Sequence, residues 1–242
     1  ATTTGAYRSG RTAAALVLDE VDPDRVIVIG AGMAGAAAAH ALAAEGVDVM
    51  VLEARDRIGG RIRTDMSWGV PVEFGAGWIH GTTGNPITAL ARTRGLRLVT
   101  TDYDDVQIRD TVTGRESEAA ALAEDRVAAM VSKIEEGNGP TSQSVGTWMR
   151  DHGWRPDRFG AWAAEVEITQ EYGLGPQSLG VRAMQEGDDT DGPDALVGGG
   201  YARIPASLLE GLDVRMSSPV SSARATSREV RITLRDGSTL SA

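Results

Sequence analysis

The sequence predicts an α/β fold with a parallel sheet and an inserted, largely helical portion, and three observations support this prediction. A short apolar run rich in β-branched residues, Arg25 to Gly30, is typical of a buried parallel strand. An alanine-rich stretch from Met33 to Glu45 predicts a helix that ends at Gly46. A second apolar run covers Val47 to Glu53, so strand, helix and strand fit within one βαβ crossover.

The rest of the 242 residues divides into segments around this unit, and the length allows one to two domains. Residues 1–24 are polar and irregular, and we expect them to form an arm that leads into the first strand. Residues 25–85 form the first part of the sheet domain. Residues 86–195 are rich in helical patterns, and residues 196–242 return to strands that rejoin the sheet domain.

Composition and charge exclude several classes of protein. The chain has no cysteine, which excludes disulfides and cysteine-bound metals, and its three histidines lack ligand spacing, so we expect no metal site. A net charge of −10 argues against nucleic-acid binding. The same charge suits a cationic substrate or simply an acidic surface. No run of 18 apolar residues occurs, so no membrane span is expected.

A glycine-rich turn between the first strand and the helix is the first motif with chemical meaning. It consists of Gly30, Ala31, Gly32, Met33, Ala34 and Gly35. Gly30 allows a tight turn, Gly32 lets a pyrophosphate approach the backbone, and Gly35 lets helix and strand pack closely. The N-terminus of the helix presents free N–H groups to phosphate. In this strand–turn–helix context the motif predicts a Rossmann-like dinucleotide-binding domain.

The segment after the second strand predicts further contacts with the dinucleotide. Glu53 ends that strand, where a carboxylate can accept both ribose hydroxyls of an adenosine. Paired glycines and Arg61 follow, which bring backbone and a cation close to the ligand. Residues 72–81 then resemble a strand that runs into small residues, against which a flat ring system can lie. A long irregular stretch such as 54–85 is usually functional in a compact domain.

These residues resemble the flavin-dependent amine oxidases, a family that includes polyamine oxidases, monoamine oxidases, bacterial amino-acid oxidases and a histone lysine demethylase. The resemblance covers Val26 to Asn85 through GAGMAG, LEARDRIGGR and FGAGWIHG, and Asn85 is followed by Pro86. It weakens after residue 86 and returns around Gly200, in residues 209–214 and around Val220. It implies FAD as the cofactor and a substrate domain that contains the helical portion. The implied reaction takes an amine and O2 as partners, moves a hydride from the carbon beside the amine to flavin N5, and yields H2O2.

The resemblance also implies roles for individual residues. Glu53 would hold the adenosine ribose, Arg61 the phosphates, and Val220 the adenine through its backbone. The full set of implied cofactor-binding residues is Gly30, Gly32, Met33, Ala34, Gly35, Glu53, Ala54, Arg55, Gly60, Arg61, Gly75, Ala76, Gly77, Trp78 and Val220. His80 falls where polyamine oxidases place a residue facing the substrate, and Glu171 falls where some plant polyamine oxidases hold an acid near the amine. Their alternatives are a hydrogen bond at the cofactor edge for His80 and an ordinary helix-end carboxylate for Glu171.

Family members are about twice as long as this chain, so the resemblance leads us to expect one part of a longer enzyme. A missing C-terminal half would then be a partner, and it would carry the lysine that holds a water at flavin N5. Lys133, the only lysine, lies in the helical segment and is no candidate for that role. An acidic loop either attracts a polyamine or is a solvated turn, and it contains Asp188, Asp189, Asp191 and Asp194.

Other functions stay open at this point. An L-amino-acid oxidase of the same superfamily needs an arginine for the substrate carboxylate, which cannot be chosen among 23 arginines. A desaturase shares the glycine-rich turn but not the GWIHG and NP residues. From a different class, the chain fits a non-catalytic FAD-binding subunit. The arginine bias resembles a GC-rich bacterial genome, and we expect a cytoplasmic location, although a start at Ala1 also permits export after signal removal.

Overall fold

The computed structural model describes residues 2–101, 107–137, 142–185, 191–226 and 229–242. They fall into two compact units, one made of residues 1–102 with 190–242 and the other of residues 103–189. The helices are α1 (Thr3–Glu20), α2 (Met33–Ala44), α3 (Pro86–Thr93), α4 (Glu118–Glu135), α5 (Val145–Asp151), α6 (Arg158–Ala164), α7 (Val181–Gln185) and α8 (Arg203–Leu209), with a π-helix over Glu165–Gln170. The strands are β1 (Arg25–Ile29), β2 (Asp48–Leu52), β3 (Thr64–Asp65), β4 (Val72–Glu73), β5 (Trp78–Ile79), β6 (Leu98–Thr101), β7 (Asp194–Val197), β8 (Asp213–Arg215), β9 (Val220–Ala225), β10 (Val230–Leu234) and β11 (Thr239–Ser241).

A parallel sheet of three strands forms the centre of the first unit, in the order β1–β2–β8. Side chains alternate along β2 because successive residues of a strand point to opposite faces. Val49 and Val51 join the core beneath the helices, whereas Met50 and Leu52 pack under the antiparallel sheet β11–β10–β9. The sheet is therefore covered on both faces, as parallel sheets generally are. The predicted strand–helix–strand unit is confirmed.

Residues 1–24 do not form the irregular arm that the sequence predicts, because most of them form the helix α1. Thr2 caps this helix by accepting a hydrogen bond from the backbone N–H of Gly5 at 3.0 Å. Gly10 and Ala14 are its buried residues, and α1 packs closely against α2. Packing against α2 stabilises a helix whose glycine and threonine residues have weak helical propensity.

Two smaller sheets complete the first unit. Strands β5, β7 and β6 pair antiparallel in that order, and β3 and β4 form a hairpin. Helix α3 begins after Asn85, whose side chain caps it by accepting from the N–H of Ile87. Ile87 and Ala91 belong to the core of this unit. The helical segment expected from residue 86 therefore begins later, since α3 and β6 pack with the parallel-sheet unit.

The second unit is helical and has its own core around Val127, Met149 and Ile168. Side chains of Ser117, Ser144 and Asp157 cap α4, α5 and α6. Helix α6 continues directly into the π-helix, in which each turn contains about one extra residue. Arg109 and Glu116 form an isolated bridge.

Across the part of the chain that the structure describes, no helix combines the length and apolar character required to cross a membrane.

Candidate functional site

The glycine-rich turn connects β1 to α2 with the geometry that a dinucleotide requires. Gly30 has a φ of 100°, a left-handed conformation that favours glycine, and its N–H donates to the Leu52 carbonyl at 2.7 Å. A Cβ on Gly35 would lie 1.9 Å from the Gly30 carbonyl oxygen, so helix and turn touch through their backbones. Gly32 is the N-cap of α2 and makes no side-chain cap bond. The first N–H groups of the helix are thus oriented toward the space in front of the turn.

Glu53 is fixed to this turn by backbone hydrogen bonds. Its Oε2 accepts from the N–H of Ala31 at 2.8 Å, its Oε1 accepts from the N–H of Arg55 at 3.0 Å, and the residue is 7% exposed. A carboxylate has about four acceptor positions, so both oxygens keep capacity for ligand hydroxyls. The backbone of Glu53 is also held, because its N–H donates to the carbonyl of Arg215 in β8 and its carbonyl accepts from the N–H of Ser218.

The paired glycines fold back against the turn. The N–H of Gly59 donates to the Ala31 carbonyl at 2.8 Å, and Gly59 and Gly60 have φ values of 94° and 61°. A Cβ on Gly60 would lie 3.4 Å from the Cα of Gly32, so the two segments approach each other to within van der Waals contact. The guanidinium of Arg57 ties the segment together by donating to the carbonyl of Gly60 at 2.9 Å.

These parts surround a cavity of about 900 Å³. Among the described residues that line this cavity, four are arginines (Arg55, Arg57, Arg61 and Arg63) and none is acidic. A cavity of this size suits a small-molecule cofactor. Guanidinium groups and a helix N-terminus together favour an anionic ligand such as a pyrophosphate.

Ten of the fifteen residues that the sequence implies for cofactor binding line this cavity: Gly30, Gly32, Met33, Ala34, Gly35, Arg55, Gly60, Arg61, Gly75 and Ala76. The other five are not among the residues that line it. Glu53 holds the turn, Ala54 follows Glu53, and Gly77 is buried, with its Cα hydrogen facing Glu73. Trp78 pairs with Leu196 in β5–β7 and is 40% exposed, and Val220 is the first residue of β9 and pairs with Leu234.

Sequence reasoning missed Glu73, which connects β4 to the start of α8. Its Oε2 accepts from the Thr64 hydroxyl at 2.7 Å and its Oε1 from the N–H of Tyr201 at 2.8 Å, while Thr64 itself accepts from Ala202 N–H at 3.0 Å. Burial, more than the nearby Glu73 charge, raises the pKa of the Tyr201 phenol to about 12. No local pattern could identify this link, because its partners lie more than 100 residues apart.

Sequence reasoning also missed the residues of α1 that line the cavity, which are Thr2, Thr3 and Ala6. The sequence predicts an irregular arm over these residues, which carries no expectation of a cofactor contact. The alternation of small residues at four-residue spacing, Ala6, Gly10 and Ala14, is the signal that could have identified a packed helix face.

His80 lies at the end of β5 and pairs with Asp194 at the start of β7. Its Nδ1 lies 2.7 Å from Asp194 Oδ2, and the other carboxylate oxygen accepts from the N–H of Gly81 at 2.8 Å. The His80 side chain is 67% exposed, whereas that of Asp194 is 19% exposed. Asn85 donates to the His80 carbonyl at 3.0 Å. Three contacts therefore fix this segment, and the Asp194 carboxylate favours the tautomer with its proton on Nδ1.

Asp194 thus belongs to a strand and not to the acidic loop in which the sequence places it. Asp191 is described and exposed, whereas Asp188 and Asp189 lie outside the described residues. Among the described residues, no group of histidine and acidic side chains could hold a metal ion.

Glu171 belongs to the helical unit, where it is exposed directly after the π-helix. The π-helix itself carries Glu167, whose pKa is raised by burial and by the negative charges of Glu124 and Glu135. Within this unit, Tyr172 donates its hydroxyl proton to Glu135 at 2.7 Å.

Comparison with known proteins agrees with this geometry. The profile of the family described as flavin containing amine oxidoreductase matches residues 33–242. Polyamine oxidase 4 of Oryza sativa subsp. japonica is 29% identical over 254 residues, covering 91% of this chain and 50% of that protein. Probable polyamine oxidase 4 of Arabidopsis thaliana is 51% identical over 86 residues, covering 35% of this chain and 17% of that protein.

A solved double mutant of putrescine oxidase, redesigned for cofactor binding, aligns with a TM-score of 0.63 at 20% identity and supports the fold. The alignment covers 90% of this chain and 56% of that one, so this chain spans about half the length of these relatives. The chain belongs to the flavin-containing amine oxidoreductase family.

FAD is the cofactor that the family and the cavity define together. Two close backbone contacts shape the lining of the cavity: a Cβ on Gly35 would lie 1.9 Å from the Gly30 carbonyl oxygen, and a Cβ on Gly75 would lie 1.9 Å from the Arg61 carbonyl oxygen. The positive lining matches the charge of a pyrophosphate, and Glu53 has acceptor positions for a ribose. The residues that line and border the cavity therefore fit FAD.

Proposed function

We propose that this chain is the cofactor-binding part of an FAD-dependent oxidase that deaminates an amine, with a polyamine or a related amine as substrate. The observation that carries the proposal is the cavity of about 900 Å³ in which the glycine-rich turn, the paired glycines and four arginines converge. When bound, FAD supplies the two-electron acceptor that takes a hydride from the carbon beside the amine, after which O2 is reduced to H2O2. The organic product is an imine, which water hydrolyses.

His80 and Asp194 are the residues that we assign to the substrate side. Asp194 contacts Nδ1 of His80 and so fixes the orientation of the imidazole ring. An oriented imidazole can exchange a proton with a substrate ammonium, and an amine must be deprotonated before it can lose a hydride. The pair therefore suits a role in holding the neutral form of the amine. Glu171 remains a second proposed substrate contact.

The net charge of −10 supports a cationic substrate over an amino acid that carries its own carboxylate. The similarity to polyamine oxidases supports the same choice. We also propose that turnover requires residues which the relatives carry over the other half of their length, because this chain spans only half of the rice protein.

An anaerobic reduction assay tests the proposal. The protein is loaded with FAD and mixed without oxygen with spermidine, putrescine or single L-amino acids, and loss of the oxidised flavin absorbance is followed before oxygen is admitted for peroxide detection. Bleaching by a polyamine with peroxide formation supports the proposal. Bleaching by amino acids alone indicates an amino-acid oxidase. Stable FAD binding without bleaching by any amine indicates a non-catalytic FAD-binding subunit or a need for the further residues.

A further inference from the structure

Helix α1 lies outside the part of the chain that matches the family profile, which begins at residue 33. The helix nevertheless contacts the cofactor site directly. Thr2, Thr3 and Ala6, at its start, line the same cavity as the glycine-rich turn.

The contact between α1 and the turn is a backbone contact. A Cβ added to Gly10 would lie 2.0 Å from the carbonyl oxygen of Ala34 and 2.8 Å from its carbonyl carbon. Ala34 is a residue of the first turn of α2 and lines the cavity. Gly10 is buried, and it lies on one helix face with Ala6 and Ala14 at four-residue spacing. Helix α1 therefore reaches the dinucleotide turn as closely as two backbones permit.

Two side-chain contacts hold the start of α1 at this position. The Thr4 hydroxyl donates to Asn85 Oδ1 at 3.2 Å, and Asn85 in turn holds the His80 carbonyl. Thr3 hydrogen bonds with Tyr201, the residue whose backbone is bound by Glu73. Helix α1 thus links the dinucleotide turn to the His80 segment and to the start of α8.

We propose that α1 is a positioning element for the bound cofactor, which holds the first turn of α2 in its FAD-binding conformation. Binding of FAD and docking of α1 then stabilise each other, because the coupling between two events is reciprocal in free energy. The residues of α1 that carry this role are Gly10, through its contact with Ala34, and Thr4, through Asn85.

Gly10→Ala and Gly5→Ala form a matched pair for the test. Both variants replace a glycine of the same helix and raise its helical propensity equally. At Gly5, which is exposed, the added Cβ meets only the Thr2 hydroxyl at 3.3 Å, whereas at Gly10 it collides with backbone. Gly10→Ala therefore forces α1 away from α2, and Gly5→Ala leaves it docked.

The experiment measures the Kd for FAD by flavin fluorescence with the full chain, and amide hydrogen exchange with and without FAD. We expect FAD to slow exchange across residues 6–14 of the wild-type chain, and Gly10→Ala to raise the Kd about tenfold or more while Gly5→Ala leaves it within about twofold. A helix that merely supports the fold would show no change in exchange on FAD binding.

Several results would overturn the inference. One is a Gly10→Ala variant in which α1 exchanges fast while the Kd for FAD stays that of the wild type. Unchanged exchange of α1 on FAD binding is another, and it is measured without any variant. If Gly10→Ala does not fold, Thr4→Val is used in its place. A raised Kd for FAD is then expected, and an unchanged Kd would contradict the proposal. The FAD titration of the wild-type chain tests the cofactor assignment separately. A wild-type chain that binds no FAD would contradict that assignment and not only the role of α1.

Discussion

The carboxylate of Glu53 accepts a hydrogen bond from the backbone N–H of Ala31 at 2.8 Å, and this bond joins the end of β2 to the glycine-rich turn. The other carboxylate oxygen accepts from the N–H of Arg55. One acidic side chain therefore organises two backbone segments that border the cofactor cavity, in addition to any bond with a ribose. Its loss should affect both the fold and the ligand.

Glu53→Gln should destabilise the protein by about 1–3 kcal/mol, because the amide NH2 would face one of the two backbone N–H donors. The same change should weaken FAD binding about tenfold, since the turn loses a tether and the ribose loses an acceptor. Urea denaturation and an FAD titration measure the two effects. Glu45→Gln, which removes the same charge from an exposed position, is the control. Equal effects from both variants would mean that only net charge matters.

Gly35→Ala should sharply reduce FAD binding. The new Cβ would lie 1.9 Å from the Gly30 carbonyl oxygen, so the turn and α2 must separate, at a cost of about 1–3 kcal/mol in stability. Gly180→Ala, where a Cβ has no atom within 4 Å, is the matched control and should leave the Kd for FAD unchanged. The measurement is an FAD titration with thermal unfolding of both variants. Tight FAD binding by Gly35→Ala would contradict the assigned role of the turn.

Asp194→Asn should lower kcat/KM for the amine about 10- to 100-fold, because an amide cannot hold the Nδ1 proton of His80 as a carboxylate does. FAD affinity should stay unchanged, since neither residue is among those that line the cofactor cavity. Asp191→Asn removes the same charge from an exposed neighbouring position and should have little effect. Steady-state peroxide formation by the enzyme in its active form is the measurement. Equal losses in both variants would indicate general attraction of a cation, without positioning of His80.

Glu167→Gln should stabilise the helical unit at neutral pH. A folded-state pKa raised above its unfolded value means that ionised Glu167 opposes folding, so stability falls as the pH rises through that range. The gain should be a few tenths of a kcal/mol, because the group is partly exposed and screened. It should disappear at about pH 3, below the pKa of Glu167 in both states. Denaturation curves at about pH 3 and pH 7 measure it, with exposed Glu165→Gln as the control. A gain independent of pH would contradict this cause.

Local patterns predict the parts of the fold that depend on local chemistry. The apolar run from Val26 to Ile29 specifies β1 and the alanine-rich stretch specifies α2, and the structure has both elements. The turn from Gly30 to Gly35 could be identified because a specific steric requirement at each glycine position favours glycine there.

Non-local contacts account for what the sequence could not predict. Helix α1 forms because Gly10 meets Ala34, although glycine within a helix argues against one. In the sequence, Asp194 is one of several acidic residues in a predicted loop. The pairing of β7 with β5 brings it to His80, which is 114 residues away in the chain. The structure groups α3 with the parallel-sheet unit, and a helical pattern alone does not show which core a helix joins.

The position of β8 beside β2 determines when, during synthesis, the chain becomes able to bind FAD. Glu53 is held on its backbone by Arg215 and Ser218, which leave the ribosome long after the glycine-rich turn. A nascent chain can therefore form the glycine-rich turn before Glu53 has its backbone hydrogen bonds to Arg215 and Ser218. Pairing between distant segments must wait for synthesis and loop closure. Cofactor capture should follow synthesis of the returning strands, and ribosome-bound chains that stop before β8 should hold FAD poorly.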